Sequence, residues 1–232
     1  MRIFIFIISL ILTCTASSFA QELQKKYPEV YGLRIGTDLI KASRNIWDKD
    51  YTGFEINADY RYNKNWYIAA ETGFENRFKE DDQVTYTTSG MFLKIGADRN
   101  FHQNWLDMNN LIYVGARYGV SLHSQTLHTY RVNTGSGYFN EELQHPELKS
   151  DGLSAHWLEL VIGIKVEVAN HLFLGMNVRF NGLLAQKQPE GFENLYYPGY
   201  GQKYSGNIGA GIGYSISYFI PFKKKYATSD SN

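Results

Sequence analysis

A chain of 232 residues is one domain, or one domain with a removable segment, and 23 basic against 23 acidic side chains exclude the basic field of a nucleic-acid binder. A single cysteine excludes a disulfide framework and a thiolate metal centre. Aromatics at 16% and 21 glycines against 5 prolines favour strands, and a mean hydropathy of -0.35 excludes a helical membrane protein while permitting a barrel of alternating strands.

Residues 1–20 read as a cleavable signal peptide. Arg2 is the charged start, 3–12 an apolar core, and Ser18 and Ala20 the small residues a signal peptidase reads. The core is too short to cross a membrane as a helix. Cys14 falls inside this segment, and Thr13 is a poor residue to precede a lipidated cysteine. Residues 21–232 are then the mature domain, with the barrel proper over about 30–222 and a tail over 223–232.

Period-two alternation predicts eight strands in order. The first, 31–40, sets Tyr31, Leu33, Ile35 and Leu39 against Gly32, Arg34, Gly36 and Asp38. The second, 53–62, sets Phe54, Ile56, Ala58, Tyr60 and Tyr62 against Glu55, Asn57, Asp59 and Arg61. A turn at Asn63-Lys64-Asn65 leads to the third, with Trp66, Ile68, Ala70 and Phe74 opposing Glu71, Gly73 and Glu75. The fourth opposes Met91, Leu93, Ile95 and Ala97 to Gly90, Lys94, Gly96 and Asp98. The fifth opposes Ile112, Val114, Ala116, Tyr118, Val120 and Leu122 to Gly115, Arg117, Gly119 and Ser121. The sixth is the most apolar, with Leu158, Leu160, Ile162, Ile164, Val166 and Val168 against Glu159, Gly163, Lys165 and Glu167. The seventh sets Leu172, Leu174, Met176, Val178 and Phe180 against Gly175, Asn177, Arg179 and Asn181. In the eighth, every second residue from Ile208 to Phe222 is apolar and those between are mostly small or polar.

Short links follow the second and sixth strands, with a moderate one at 100–109; longer ones over 41–51, 76–88, 123–154 and 185–205 follow the odd strands. Short periplasmic turns and long extracellular loops are the habit of outer-membrane barrels, and an even strand number returns both termini to the periplasm. Tyr31, Tyr62, Trp66, Phe101 and Phe222 would form the periplasmic aromatic girdle. His156 and Trp157 read as anchors at the other interface.

Alternation alone does not say which face is inside, since a soluble lipocalin-like carrier has the same strand count with its apolar face inward. Glycines crowd the polar face, where a narrow lumen would need them. Opposite charges share it: Arg34, Arg61, Lys94, Arg117, Lys165 and Arg179 with Asp38, Glu55, Asp59, Glu71, Glu75, Asp98, Glu159 and Glu167. In an eight-stranded barrel these would fill the interior as an ion-pair network and leave no open channel.

Candidate chemistry is sparse. His123 and Ser124, at the outer end of the fifth strand, could hydrolyse lipid esters with a third, unidentified member. Glu141, Glu142, His145 and Glu147 in the longest loop could hold a divalent cation, or form a solvated acidic loop. The run 192–200, with Phe192, Tyr196, Tyr197 and Tyr200, is too aromatic for an open loop and reads as a lid over the barrel mouth or a sticky surface for a partner. No cofactor is called for.

Several runs resemble a family of small outer-membrane β-barrels of Gram-negative bacteria that is filed as a domain of unknown function. They are Ser154-Ala155-His156-Trp157-Leu158-Glu159-Leu160, Gly163-Ile164-Lys165-Val166-Glu167 and His171-Leu172-Phe173-Leu174-Gly175, with Asn194-Leu195-Tyr196-Tyr197-Pro198-Gly199-Tyr200. Lys94-Ile95-Gly96-Ala97-Asp98 and Tyr113-Val114-Gly115-Ala116-Arg117-Tyr118-Gly119 fit as well. The resemblance implies fold and location and carries over no catalytic residue. The expectation is an all-β, eight-stranded antiparallel transmembrane β-barrel, non-enzymatic, supporting extracellular loops for surface interaction or envelope integrity. Its expected partners are outer-membrane lipid and lipopolysaccharide, and the barrel-assembly machinery during insertion; the extracellular partner is open.

Overall fold

The computed structural model describes residues 29–102, 109–131, 143–204 and 206–225. The expected signal peptide lies outside them. Its elements are β1 (Glu29–Asp38), α1 (Leu39–Trp47), β2 (Tyr51–Arg61), β3 (Trp66–Glu80), β4 (Val84–Asn100), β5 (Leu111–Arg131), β6 (Leu143–Gln144), β7 (Leu148–Ala169), β8 (Leu172–Gln186) and β9 (Ile208–Lys225).

Eight of the strands form one antiparallel ring, in which each pairs with the next in sequence and β9 returns to β1. The two-residue β6 pairs only with the far end of β5. Closure removes every sheet edge, so the ladder leaves no row of unpaired backbone groups along the barrel wall. Residues 29 and 225 pair at the end of the barrel that carries the short turns.

The faces divide as the alternation demands. Phe54, Ile68, Met91, Ile95, Ile112, Leu158, Ile162 and Phe180 are exposed on the outside, while Arg34, Glu55, Asp59, Lys94, Arg117 and Glu159 are buried within. This arrangement rules out the soluble-carrier reading, which needs an apolar interior. Tyr62, Trp66, Phe101 and Phe222 are exposed at the short-turn end. Among the described residues no helix is long and apolar enough to cross a membrane.

Three expectations need correction at the long-loop end. The stretch after β1 is the nine-residue helix α1 rather than a loop, and Leu39 belongs to it instead of the strand. Asp38 starts it as the N-cap, its carboxylate accepting from the Lys41 backbone N–H at 2.9 Å. The stretch 76–88 is no long loop either, because β3 and β4 run on to a turn at residues 81–83. Likewise β5 and β7 extend over 21 and 22 residues, about twice the ~9–11 that cross a bilayer. Their outward residues turn polar beyond Met91 in β4 and Leu122 in β5, at Ser89, Thr87, Ser124 and Thr126, so an apolar belt gives way to a hydrophilic extension of the same wall.

Trp157 is the third correction. It is fully buried inside the barrel, not at an interface. Its odd position puts it on the inner face with Glu159 and Val161, whereas His156 faces out and its Nδ1 meets the Tyr118 hydroxyl at 2.9 Å.

Candidate functional site

Near the short-turn end of the lumen, Asp59 of β2 accepts from Arg34 Nε of β1 at 2.9 Å and from Lys165 Nζ of β7. The Arg34 guanidinium lies 4.9 Å from the Phe173 ring centroid and 5.1 Å from that of Tyr67, so aromatic faces replace the water it would otherwise need.

The middle of the lumen holds a larger cluster. Register sets Glu71 opposite Lys94 and Arg117 opposite Glu159, so charges of opposite sign meet across neighbouring strands. Lys94 Nζ lies 3.1 Å from Glu159 and 3.4 Å from Glu71. Arg117 grips Asp98 with two nitrogens, at 2.7 and 2.8 Å. Arg179 is the hub: it donates to Glu71 and to the Asn177 side chain at 2.7 Å each, and reaches Glu159 and Glu55 at 3.5 and 3.6 Å. A guanidinium with its five donors suits this role better than an ammonium. Glycine makes room for the packing: a Cβ on Gly115 would collide with the Asp98 carboxylate.

Three residues assigned to the network also tie backbone groups, and Asp38 keeps an electrostatic contact with Arg179. Asp38 caps α1. Arg61 donates to the carbonyls of Val30 and Lys64 at 3.1 and 2.8 Å, tying β1 to the β2–β3 turn. Glu167 accepts from the backbone N–H groups of His171 at 3.0 Å and Asn109 at 3.3 Å, fastening two short turns together.

The mouth is closed from two sides. Lys41, on the inner side of α1, reaches Glu55 at 2.7 Å and Glu75 at 2.6 Å, with its ammonium 4.3 Å from the Phe92 ring centroid. Burial works against its charge, but the two carboxylates outweigh that and hold its pKa above the ordinary lysine value. From the other side, the loop between β8 and β9 folds inward. Tyr196 donates its hydroxyl to Glu75, and the Gly199 N–H adds a second bond at 3.2 Å. The Leu195 N–H donates to Gln125 at 3.0 Å, and Gln125 donates back to the Glu193 carbonyl at 2.9 Å.

Tyr197 and Tyr200 pack against Phe92, Ala155, Trp157 and Leu183 in the largest apolar cluster of the interior, while Phe192 stays half-exposed. The loop turns on Gly199, whose φ of +79° a side chain would rarely adopt. Burial pushes the phenol pKa values of Tyr196, Tyr197 and Tyr200 up, and Glu75 adds to the shift at Tyr196. Lys41, Phe92, Gln125, Trp157 and Asn194 were not singled out for this closure from sequence. Phe92 and Trp157 could have been found, because each falls on the charged side of its own strand's alternation.

The remaining candidates separate. His123 faces inward beneath the lid, with Nε2 3.3 Å from the Asn194 side-chain oxygen and its ring edge-on to Tyr197. Ser124 faces outward and approaches the Ser89 carbonyl. Adjacent strand residues point to opposite faces, so no His–Ser pair forms here, and that candidate hydrolase site is withdrawn. Glu141 and Glu142 lie outside the described residues; His145 is exposed, and Glu147 accepts from His128 instead. Among the described residues no three His, Cys, Asp or Glu side chains gather as metal ligands would.

With this geometry in place, the chain can be set beside known proteins. It is similar to the crystal structure of Neisserial surface protein A, with 13% identity and a TM-score of 0.41 over 82% of this chain and 96% of that one. It is similar also to the attachment invasion locus protein Ail of Yersinia pestis, with 10% identity and a TM-score of 0.39 over the same shares. No curated protein matches it. A family profile matches residues 1–225, and the chain belongs to that family, the domain of unknown function DUF6048.

Proposed function

We propose that the chain is a sealed outer-membrane barrel of the Gram-negative envelope, a rigid post that carries surface-exposed extensions rather than a channel or a carrier. One observation carries this reading. The outside of the cylinder is a continuous belt of exposed Ile, Leu, Val, Phe and Met side chains, and the inside is charged and filled. Such a belt in water is an aggregation hazard; in hydrocarbon it is the matching solvent. The girdle of Tyr62, Trp66, Phe101 and Phe222 marks the periplasmic interface in this reading, with both termini on that side. Outer-membrane lipid and lipopolysaccharide then contact the belt, and the barrel-assembly machinery receives the chain during insertion. The walls of β3–β4 and β5–β7 beyond the belt stand on the cell surface and meet the extracellular partner.

Heat-modifiability on gels of purified outer membranes, combined with protease shaving of intact cells, tests it. A band that shifts on boiling, and cleavage from outside the cell confined to the long-loop end of the cylinder, are the expected results. Recovery of the chain in a detergent-free periplasmic wash would end the proposal.

A further inference from the structure

The hydrophilic extension of the wall carries a hydrogen-bonded chain that the sealed barrel does not need. On the outer face, Thr87 Oγ1 of β4 lies 2.9 Å from His128 Nε2 of β5, and His128 Nδ1 lies 2.8 Å from Glu147 Oε2. The carboxylate can only accept, so in the neutral ring Nδ1 carries the proton and Nε2 is left to accept from the Thr87 hydroxyl. That is the order hydroxyl, imidazole, carboxylate in which a base activates an oxygen nucleophile.

Two backbone irregularities build it. The β4–β5 register slips between Thr85 and Tyr86 and leaves His128, on the outward parity of Leu122 and Thr126, as the extra residue of a bulge beside Thr87. Glu147 sits at φ +46°, a left-handed conformation unusual for glutamate, just before β7 begins. The Phe78 ring stands 6.1 Å from His128 on the same outer face.

Height along the wall names the substrate class. Thr87 is four residues beyond Met91, the last exposed apolar residue of β4 on this side, or roughly 13 Å along the strand at ~3.3 Å per residue and about 10 Å in height at a barrel tilt of ~40°. A group held there reaches carbonyls at the level of outer-leaflet headgroups. We propose that Thr87, His128 and Glu147 form an acyl-transfer site on the outer wall that cleaves carboxylic esters of membrane amphiphiles. Thr87 Oγ1 attacks the ester carbonyl carbon as its proton passes to His128 Nε2, and the C–O bond to the alcohol breaks as that proton is handed to the leaving oxygen. Water then attacks the acyl-threonine, giving a proton to His128, which returns it to Thr87 as the acid departs. Glu147 is a positioning residue that holds the imidazole in the required tautomer.

The amphiphilic substrate rests on the outer-membrane reading; the triad itself does not. The full mature chain, folded in detergent and checked for heat-modifiability, is treated with a soluble fluorophosphonate, and the adduct is located by peptide mass. Labelling of Thr87 is expected, lost in Thr87→Val, slowed about 100-fold in His128→Gln as removal of a general base should do, and unchanged in Ser124→Ala. Glu147→Gln should slow it and Glu147→Asp restore part of the rate, a rescue that a mere fastener of the loop would not show. An unlabelled Thr87 in the folded protein, or labelling at full rate in His128→Gln, overturns the site. Release of the long-chain acid from p-nitrophenyl dodecanoate in vesicles supports the amphiphile, and turnover of the butyrate alone overturns it. A periplasmic location would sink the membrane reading while the label on Thr87 still decides the triad.

Discussion

The middle of the lumen and its mouth are both closed, but by different physics. In the middle, Arg179, Arg117 and Lys94 meet Glu71, Glu159 and Asp98, with Tyr113 and Val161 packed beside them. At the mouth, Tyr197, Tyr200, Phe92 and Trp157 form an apolar plug stitched to the wall by hydrogen bonds. The charged filling is contributed by the strands themselves and forms only when the ring closes. The loop tyrosines and α1 pack onto Phe92 of β4 and Trp157 of β7, and these two covering pieces could leave without opening the ring. One region therefore reports assembly and the other reports local motion at the long-loop end.

The largest effect should come from the hub. Replacing Arg179 with Met keeps an unbranched stem but removes the closest cation of Glu71 and leaves Glu71 and Glu159 to share Lys94. Removing one partner from a buried network costs roughly 3–5 kcal/mol. The unfolding midpoint on a heat-modifiability series should fall sharply, for the whole barrel at once. If only the loop at 187–207 became protease-sensitive, the middle would not be the assembly element. Gly119→Ala probes the boundary from the other side, because its Cβ would meet the Trp157 indole. Overpacking of this kind costs about 1–3 kcal/mol. Tryptophan fluorescence should report a displaced Trp157 while the folded band keeps its mobility.

Tyr196→Phe is milder still. It removes the hydroxyl that donates to Glu75, a bond to a charged group worth about 1.5 kcal/mol or somewhat more. Glu75 keeps Lys41 and the Gly199 N–H, so the loss should appear only in the lid. Faster hydrogen exchange at residues 194–200, with an unchanged unfolding midpoint, is the expected outcome. A fall in the midpoint as large as that of Arg179→Met would erase the distinction between the two regions.

How far the sequence reveals this depends on what each residue faces. Alternation of apolar and charged residues is a strong signal wherever one face meets lipid, and there the parity of β1 to β9 is legible from Tyr31 to Phe222. Beyond the belt the signal fades: in Thr85, Tyr86, Thr87, Thr88 and Ser89 both faces are polar or mixed, so β4 reads as loop although it pairs with β3 and β5 throughout. The nine residues of α1 do repeat at the helical period, with Leu39, Ile40, Ala42, Ile46 and Trp47 on one side, but the run is short and its opening Leu39 also continues the alternation of β1, so Asp38 is its plainest marker. Candidate chemistry fails for a related reason. His123 and Ser124 are neighbours in sequence and therefore opposed in space, whereas Thr87 and His128 are 41 residues apart and meet across two strands. His128 shares the outward parity of Leu122, Ser124 and Thr126, but only the strand register, with its bulge at this point, says which residue of β4 it meets.

The smallest predicted effect is a pH dependence confined to the mouth. Lys41 has a pKa raised above its ordinary 10.5 by Glu55 and Glu75, which outweigh the opposing effect of burial. A cation held in this way contributes stability that is fully present below the unfolded value and is lost as pH rises toward the folded one. Tyr196 acts in the same direction, since burial and Glu75 keep its phenol protonated above the usual 10.0. Closure of the mouth should be flat from pH 6 to about 10 and weaken above it, read as the rate of proteolysis of residues 187–207 by an alkaline-stable protease, normalised to an unstructured peptide. The Lys41→Met, Tyr196→Phe double variant begins with a looser mouth and should show a shallower alkaline rise. An equally steep rise in that variant would place the alkaline sensitivity in other groups and leave α1 without a part in the closure.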